Sequence, residues 1–219
     1  MELNENKIKN NNDPIDTFSL KWKYLTYLFN KKDFKIYDTI KSFKVDSVSL
    51  YSITPHYYAE KITRIISKYY SNLDKLTISD FCCCIGGNSF NFIKYFKHVN
   101  CVELDKKRFD FLRHNMSLYR KHNNFNNYKL LNLNCFDVYD KIDHDIIFID
   151  PPWNGKDYKK NDSIDLYLDN INASDFCNIF IKTCKMIVLK IPNNFNLNNF
   201  KHKYDIYDLN IFKLIIIQK

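Results

Sequence analysis

Glycine is nearly absent, with three in 219 residues. So few leave no place for the GxGxxG turn that receives a dinucleotide pyrophosphate, and a glycine that is kept becomes informative. No stretch reaches about 18 consecutive apolar residues, which argues against a membrane-spanning helix. The opening MELNENKIKNNNDP has no apolar core for a signal peptide. The seven cysteines form neither an even disulfide framework nor a CxxC metal spacing, and Cys82, Cys83 and Cys84 are consecutive. These absences predict a soluble, reduced, intracellular protein, cytoplasmic or nuclear, with no metal and no membrane partner. There is no internal repeat.

Basic residues are plentiful. Lys and Arg number 33 against 25 acids, a net charge of +8. Such an excess suits a polyanionic partner and is equally compatible with solvated surface lysines. The length allows one α/β domain with a substantial core and a small appendage.

The chain is organised around DIIFIDPPWNGKDY, residues 145–158. Ile146 to Ile149 form an apolar run buried on both faces, as in a central strand of a parallel sheet. Pro151 and Pro152 then forbid further pairing. Asp150 therefore stands at the carboxyl lip of a buried strand, where open α/β sheets bind ligands, with Trp153 offering a flat ring just outside. An acid-Pro-Pro-aromatic loop of this kind resembles that of methyltransferases acting on exocyclic amines of nucleobases. The Asp150 carboxylate and the Pro151 carbonyl could accept the two N–H bonds of such an amine, draw its nitrogen toward tetrahedral geometry and aim its lone pair at an electrophilic methyl. Stacking on the neighbouring ring is worth about 1–3 kcal/mol. A plain strand end with a tryptophan packed beneath it is the bland alternative.

Residues 1–15 are polar and predict disorder. From Thr17 to about Asn30, Phe18, Trp22, Leu25, Leu28 and Phe29 recur at helical spacing. Residues 16–53 thus form a helical extension, expected to act as a lid or substrate clamp at the mouth of a methyltransferase domain spanning 54–219. Thr54 and Pro55 read as cap and first turn of a second helix that carries Ala59, Ile62, Ile65 and Ile66. Alternating strands and helices follow, ending in two strands that turn near Asn210. The pattern predicts a doubly wound, Rossmann-like α/β fold with seven strands and a terminal antiparallel hairpin.

Asp80 closes the first strand, and Gly86, Gly87 and Asn88 make the turn into a helix. Paired glycines there permit close backbone approach to a ligand. Glu103, ending the second strand, can hold ribose hydroxyls, and Asp105 either joins it or caps the next helix. The set fits a dinucleotide or S-adenosylmethionine. The amine-methyltransferase loop favours S-adenosylmethionine.

WKYLTYLF, YSITP, DFCCCIGGN, CVELD, FIDPPWNGKDY and LKIPNN occur in the order and spacing of the trimethylguanosine synthases, which the chain resembles from about Lys21 to its C-terminus. These are RNA cap guanine-N2 methyltransferases. The resemblance implies a class I S-adenosylmethionine-dependent fold, 7-methylguanosine-capped RNA or 7-methylguanine nucleotides as partners, and a monomer. It places Thr54, Asp80, Gly86, Asn88 and Glu103 around the cofactor, and Phe29 and Trp153 around the cap. The loop chemistry makes Asp150 and Pro151 the expected catalytic groups, with Asp105, Cys135 and Asp150 also expected beside the cofactor and Asn154 and Lys190 beside the cap. Four departures stand out. Cys84 replaces a loop glycine. Asn134 and Cys135 replace a Gly-Asp pair whose acid contacts the adenine amine, leaving Asp137 as a possible substitute. Asp150 replaces a serine. Asn193 replaces a phosphate-binding arginine, leaving Lys190, Lys156 or the N-terminal lysines for the phosphates. Two other readings remain open: guanine-N2 or adenine-N6 methylation of internal RNA or DNA bases, and an RNA-binding protein with a degenerate cofactor pocket.

Overall fold

The computed structural model describes residue 15, residues 20–33 and residues 37–219. The disorder expected for the first fifteen residues, and the start of the first helix at Thr17 and Phe18, fall outside the described residues, except that Ile15 pairs with Val45.

Among the described residues, four α-helices precede the sheet: α1 (Trp22–Leu28), α2 (Tyr37–Lys41), α3 (Ser47–Ser52) and α4 (His56–Ile66). The first stops because Phe29 turns to extended backbone, φ −121°. A reciprocal capping box starts α3, with Asp46 accepting from the Ser49 N–H and Ser49 from the Asp46 N–H. Pro55 is the cap of α4 and Thr54 does not cap it. The Thr54 hydroxyl is engaged elsewhere, as described below.

The strands β1 (Thr77–Phe81), β2 (His98–Val102), β3 (Tyr128–Leu131) and β4 (Ile146–Ile149) are followed by a two-residue pair, β5 (Tyr167–Leu168) and β6 (Ile171–Asn172), then by β7 (Met186–Ile191), β8 (Asp205–Asp208) and β9 (Lys213–Gln218). Seven of them form one sheet in the order β3-β2-β1-β4-β7-β9-β8, parallel from β3 to β7 and antiparallel at β9 and β8. The seven strands and the closing hairpin agree with expectation. Between the strands lie α5 (Ser89–Phe92), α6 (Lys106–Asn123), α7 (Cys135–Val138) and α8 (Ala173–Phe180).

Strand periodicity divides the core into two layers. Ile146, Phe148, Met186 and Val188 face a layer with α4, α5 and α6, which also takes in Leu25, Leu28, Phe29, Phe43 and Leu50 of the extension. Ile147, Ile149, Ile187 and Leu189 face α7 and α8. The extension is thus built into the main core, each such side chain contributing about 1.5–3 kcal/mol by burial.

The same period positions the site. Asp80 follows Ile78, Asp150 follows Phe148, and Lys190 follows Val188. All three side chains emerge on the first layer's face from adjacent strands β1, β4 and β7, because β4 pairs Ile149 with Leu189.

Candidate active site

Three carboxyls and one ammonium are gathered at the carboxyl ends of the central strands. Asp80 is fully buried, and its Oδ2 accepts from Ser89 Oγ at 2.5 Å. Burial lifts its carboxyl to about 7; Ser89 and Lys190 oppose that rise, and Asp150 and Glu103 add to it. Asp150 is raised by burial and drawn down by Lys190. Glu103 is raised by burial and drawn down by backbone N–H donors and Arg108.

Lys190 is 4% exposed. Its Nζ donates to Asp150 Oδ2 at 2.6 Å and to Thr54 Oγ1 at 2.8 Å. It also lies 5.0 Å from the centre of the Trp153 ring and 4.9 Å from that of Phe212, a doubly cation–π environment. Thr54 further accepts from Asn88 Nδ2 at 3.2 Å, so one hydroxyl ties the glycine loop to the Asp150–Lys190 pair. An amine buried in this way is not presented to cap phosphates, the task expected of it. Asn193, at the position of the family arginine, donates to the Asn210 carbonyl at 2.7 Å.

The loop after β1 is strained as the missing glycine implies. Cys84 takes φ 51°, and Cys82, which the sequence did not single out, takes φ 61°. The Cys84 N–H donates to Glu103 Oε2 and the Asp105 N–H to Glu103 Oε1, both at 2.8 Å. Gly87 sits against the extension: a Cβ there would lie 2.6 Å from Ile53 Cγ1 and 2.8 Å from the Thr54 carbonyl oxygen. The second glycine therefore permits protein to approach the loop, not only ligand.

Trp153 is half-buried, with Tyr158 edge-on at 5.2 Å. Its Nε1 donor is buried and unpartnered, as are the acceptors Asp80 Oδ1 and Asn88 Oδ1. Native structures seldom leave such groups unsatisfied, and ordered water, an ion or a ligand completes them. Two acceptors beside a carboxyl-rich loop suit an ammonium group, and three carboxyls against one lysine suit a cationic ligand. The residues present therefore fit a cationic cofactor such as S-adenosylmethionine, which Asp80, Asn88 and Glu103 would hold.

Other expected positions lie elsewhere. Phe29 is buried, and its ring partners are Phe43 at 4.7 Å and Phe90 at 6.3 Å, not Trp153. It is packed in the core and lines a cavity of about 350 Å³ shared with His56, Tyr57 and Gly87 rather than meeting Trp153. Asp105 caps α6, accepting from the Arg108 N–H at 2.8 Å and pairing with its guanidinium at 3.0 Å. Cys135 is buried at the start of α7 and its thiol turns back to Asn134 Oδ1; Asn134 caps that helix. Asp137 is exposed. Asn154 is exposed in left-handed backbone, φ 62°, ahead of Gly155. The sequence reading missed Leu104, which is 62% exposed just beyond Glu103, and Leu133, exposed near the end of β3. Asn132 fixes the first of these by donating to the Glu103 and Leu104 carbonyls. Apolar side chains at two adjacent strand ends can flank a flat ring. The available signal was a leucine in a loop immediately after an acid at a strand end.

A sequence profile described as RNA cap guanine-N2 methyltransferase matches residues 75–213. An uncharacterised protein of Acanthamoeba polyphaga mimivirus is 30% identical over 192 residues, covering 78% of this chain and 75% of its own length. The trimethylguanosine synthase of Saccharomyces cerevisiae is 26% identical over 168 residues, 71% of this chain, and the match spans about half (52%) of the yeast protein. Among solved structures, a T. thermophilus 16S rRNA guanine-N2 methyltransferase in complex with AdoMet and guanosine superposes with a TM-score of 0.56 at 15% identity, covering 81% of this chain and 44% of that one. An RNA methyltransferase of Salinibacter ruber in complex with S-adenosyl-L-homocysteine gives 0.51 at 10% identity, covering 75% and 92%. These two likenesses establish the class I methyltransferase fold.

Proposed function

This chain belongs to the RNA cap guanine-N2 methyltransferase family, and from that premise we propose that it methylates N2 of the 7-methylguanosine cap of RNA, or of 7-methylguanine nucleotides. S-adenosylmethionine, when bound, supplies the electrophilic methyl. The observation that carries the reading is the Asp150–Trp153 loop, which sets a half-buried carboxyl, the Pro151 carbonyl and an indole with an unpartnered N–H beside the carboxyl-rich glycine loop. Asp150 and the Pro151 carbonyl accept the N2 hydrogens and orient the lone pair. Trp153 holds the base by its ring, and Asp80, Asn88 and Glu103 hold the cofactor.

Lys190 modifies the electrostatics. It neutralises Asp150 and already stands over the indole, so a cationic base takes that ring by displacing the ammonium or by using the opposite face. The pair also supports a second reading, guanine-N2 methylation of an internal RNA base, since a neutralised Asp150 favours a cationic base less than a free carboxylate does.

Mass spectrometry of reactions with 7-methyl-GTP and with GTP decides between the two. On the cap reading kcat/KM is at least about tenfold higher for 7-methyl-GTP, the scale of one cation–π contact in a partly desolvated site. Trp153→Ala removes most of the affinity for 7-methyl-GDP and leaves S-adenosylhomocysteine binding nearly intact. Equal turnover of the two nucleotides would overturn the cap assignment in favour of the internal base.

A further inference from the structure

Helix α4 begins at the site and leads away from it. Thr54, which binds Lys190 and Asn88, lies two residues before His56, the first residue of the helix. On the outer face of the helix, Tyr57, Lys61 and Arg64 recur at helical spacing, and Lys68 continues the row just past the C-cap, a length of about 16 Å. Tyr57 is 54% exposed, and Arg64 and Lys68 are exposed. Each lysine lies over an aromatic ring: Lys61 Nζ is 4.6 Å from the centre of Tyr57, and Lys68 Nζ is 4.8 Å from that of Tyr207. Alongside, α1 exposes Lys23 and, four residues on, Tyr27, which is 46% exposed. Glu60 faces this row and pairs with Arg64 at 3.6 Å, and Asp205 accepts from Tyr69 beneath it.

The row is joined to the site from inside as well. Lys190 lies over Phe212, and Phe212 packs against Tyr58 at 5.4 Å, which in turn meets Tyr57 at 5.3 Å. Cations interleaved with exposed rings match the chemistry of a single-stranded nucleic acid: phosphates at the lysines and arginine, and bases of any identity on the rings. Tyrosine and lysine together satisfy a flexible polyanion better than a folded protein surface, which asks for a wide apolar centre.

We infer that the outer face of α4 is a sequence-independent track for the single-stranded RNA that follows the methylated nucleotide. This rests on the cap reading only for the end at which the track begins.

The test measures equilibrium binding, by fluorescence anisotropy, of a single-stranded RNA of about 12 nucleotides with and without a 7-methylguanosine cap, the length being enough to cross the about 16 Å row. Lys61→Ala/Arg64→Ala/Lys68→Ala is compared with Arg113→Ala/Arg120→Ala/Lys121→Ala, whose side chains line a basic groove of about 670 Å³ between α6 and β3. The α4 triple variant is expected to lose at least about tenfold affinity for both RNAs at low salt and to lower the salt slope by about 2, at roughly 0.7 per phosphate contact. Tyr57→Ala, which changes no charge, is expected to lose about fivefold or more, the low end of base stacking. Affinity for 7-methyl-GDP stays within about twofold for both. A loss confined to the α6 variant, or an equal loss of 7-methyl-GDP affinity, would overturn the track. Intact dependence on α4 without methyl transfer to any cap would remove the cap reading and leave the track standing.

Discussion

Asp80 ionises at a cost in the free protein, because burial and its carboxyl neighbours raise it from the ordinary 3.8 to about 7. Below the ordinary value the group is protonated in folded and unfolded chains alike. Between there and about 7 the unfolded chain releases a proton that the folded chain keeps, so this group removes stability as pH rises through that window. An ammonium ligand reverses the sign. S-adenosylhomocysteine affinity is expected to rise by up to about tenfold per pH unit between about 5.5 and 7 and then level off. Asp80→Asn should lower and flatten the profile in calorimetric titration. A flat profile in the unaltered protein would place the amine elsewhere.

Lys190 carries a second expectation. Lys190→Met leaves the half-buried Asp150 without its partner and should cost up to about 3–5 kcal/mol in urea denaturation, whereas Lys190→Met/Asp150→Ser should recover more than half of that. Equal losses would mean the pair is not coupled. Asp80, Asp150 and Trp153 were legible in the sequence because strand ends and prolines mark them. The partner of Asp150 was not. KMIVLKI reads as a strand, but only the placement of β7 beside β4 turns its alternate residues into neighbours of the DPPW loop. Arg108 claimed Asp105 through helix geometry that a capping signal left open.

Helices and loops show a similar division. The order of strands and helices followed from hydrophobic period, and the terminal hairpin from two apolar runs with a turn near Asn210. The extension was harder to read. Its stretch from Lys31 to Ile53 sustains no period, and local capping at Asp46 starts α3 within it. Phe29 lay in a helical pattern whose inner face could equally serve a pocket or the core, and packing against Phe43 and Phe90 chose the core. Phe29→Ala should therefore cost about 3–5 kcal/mol of stability, with 7-methyl-GDP affinity per folded molecule unchanged. A selective loss of nucleotide binding would restore the ring to the pocket. The glycine loop makes a complementary test. Gly87→Ala forces a Cβ into the Thr54 backbone and should cost about 1–3 kcal/mol while weakening S-adenosylhomocysteine binding, because Thr54, Asn88 and Lys190 shift together.

The molecule as a whole is basic, yet its candidate site is acidic. Lys and Arg exceed acids across the chain, for a net charge of +8, while three carboxyls meet one lysine where the central strands end. The net charge could be read directly. The inversion could not, since it depends on which few of the 25 acids the fold turns inward. On the proposed track along Lys61, Arg64 and Lys68, salt should weaken a capped oligonucleotide more steeply than 7-methyl-GDP.

The gathered carboxyls also bear on how long each copy of the protein lasts. With Lys190 and Arg108 offsetting them only in part, Asp80 and its neighbours strain the ligand-free fold. A ligand at about 100 times its Kd adds about 2.7 kcal/mol, and at one fixed ligand concentration the gain should be larger at pH 8 than at pH 6. In a cell, the empty form is the one that opens most often to proteases. Supply of methyl donor would then govern the number of surviving enzyme molecules as well as the rate at which each one works, and starvation for the donor would thin the population first.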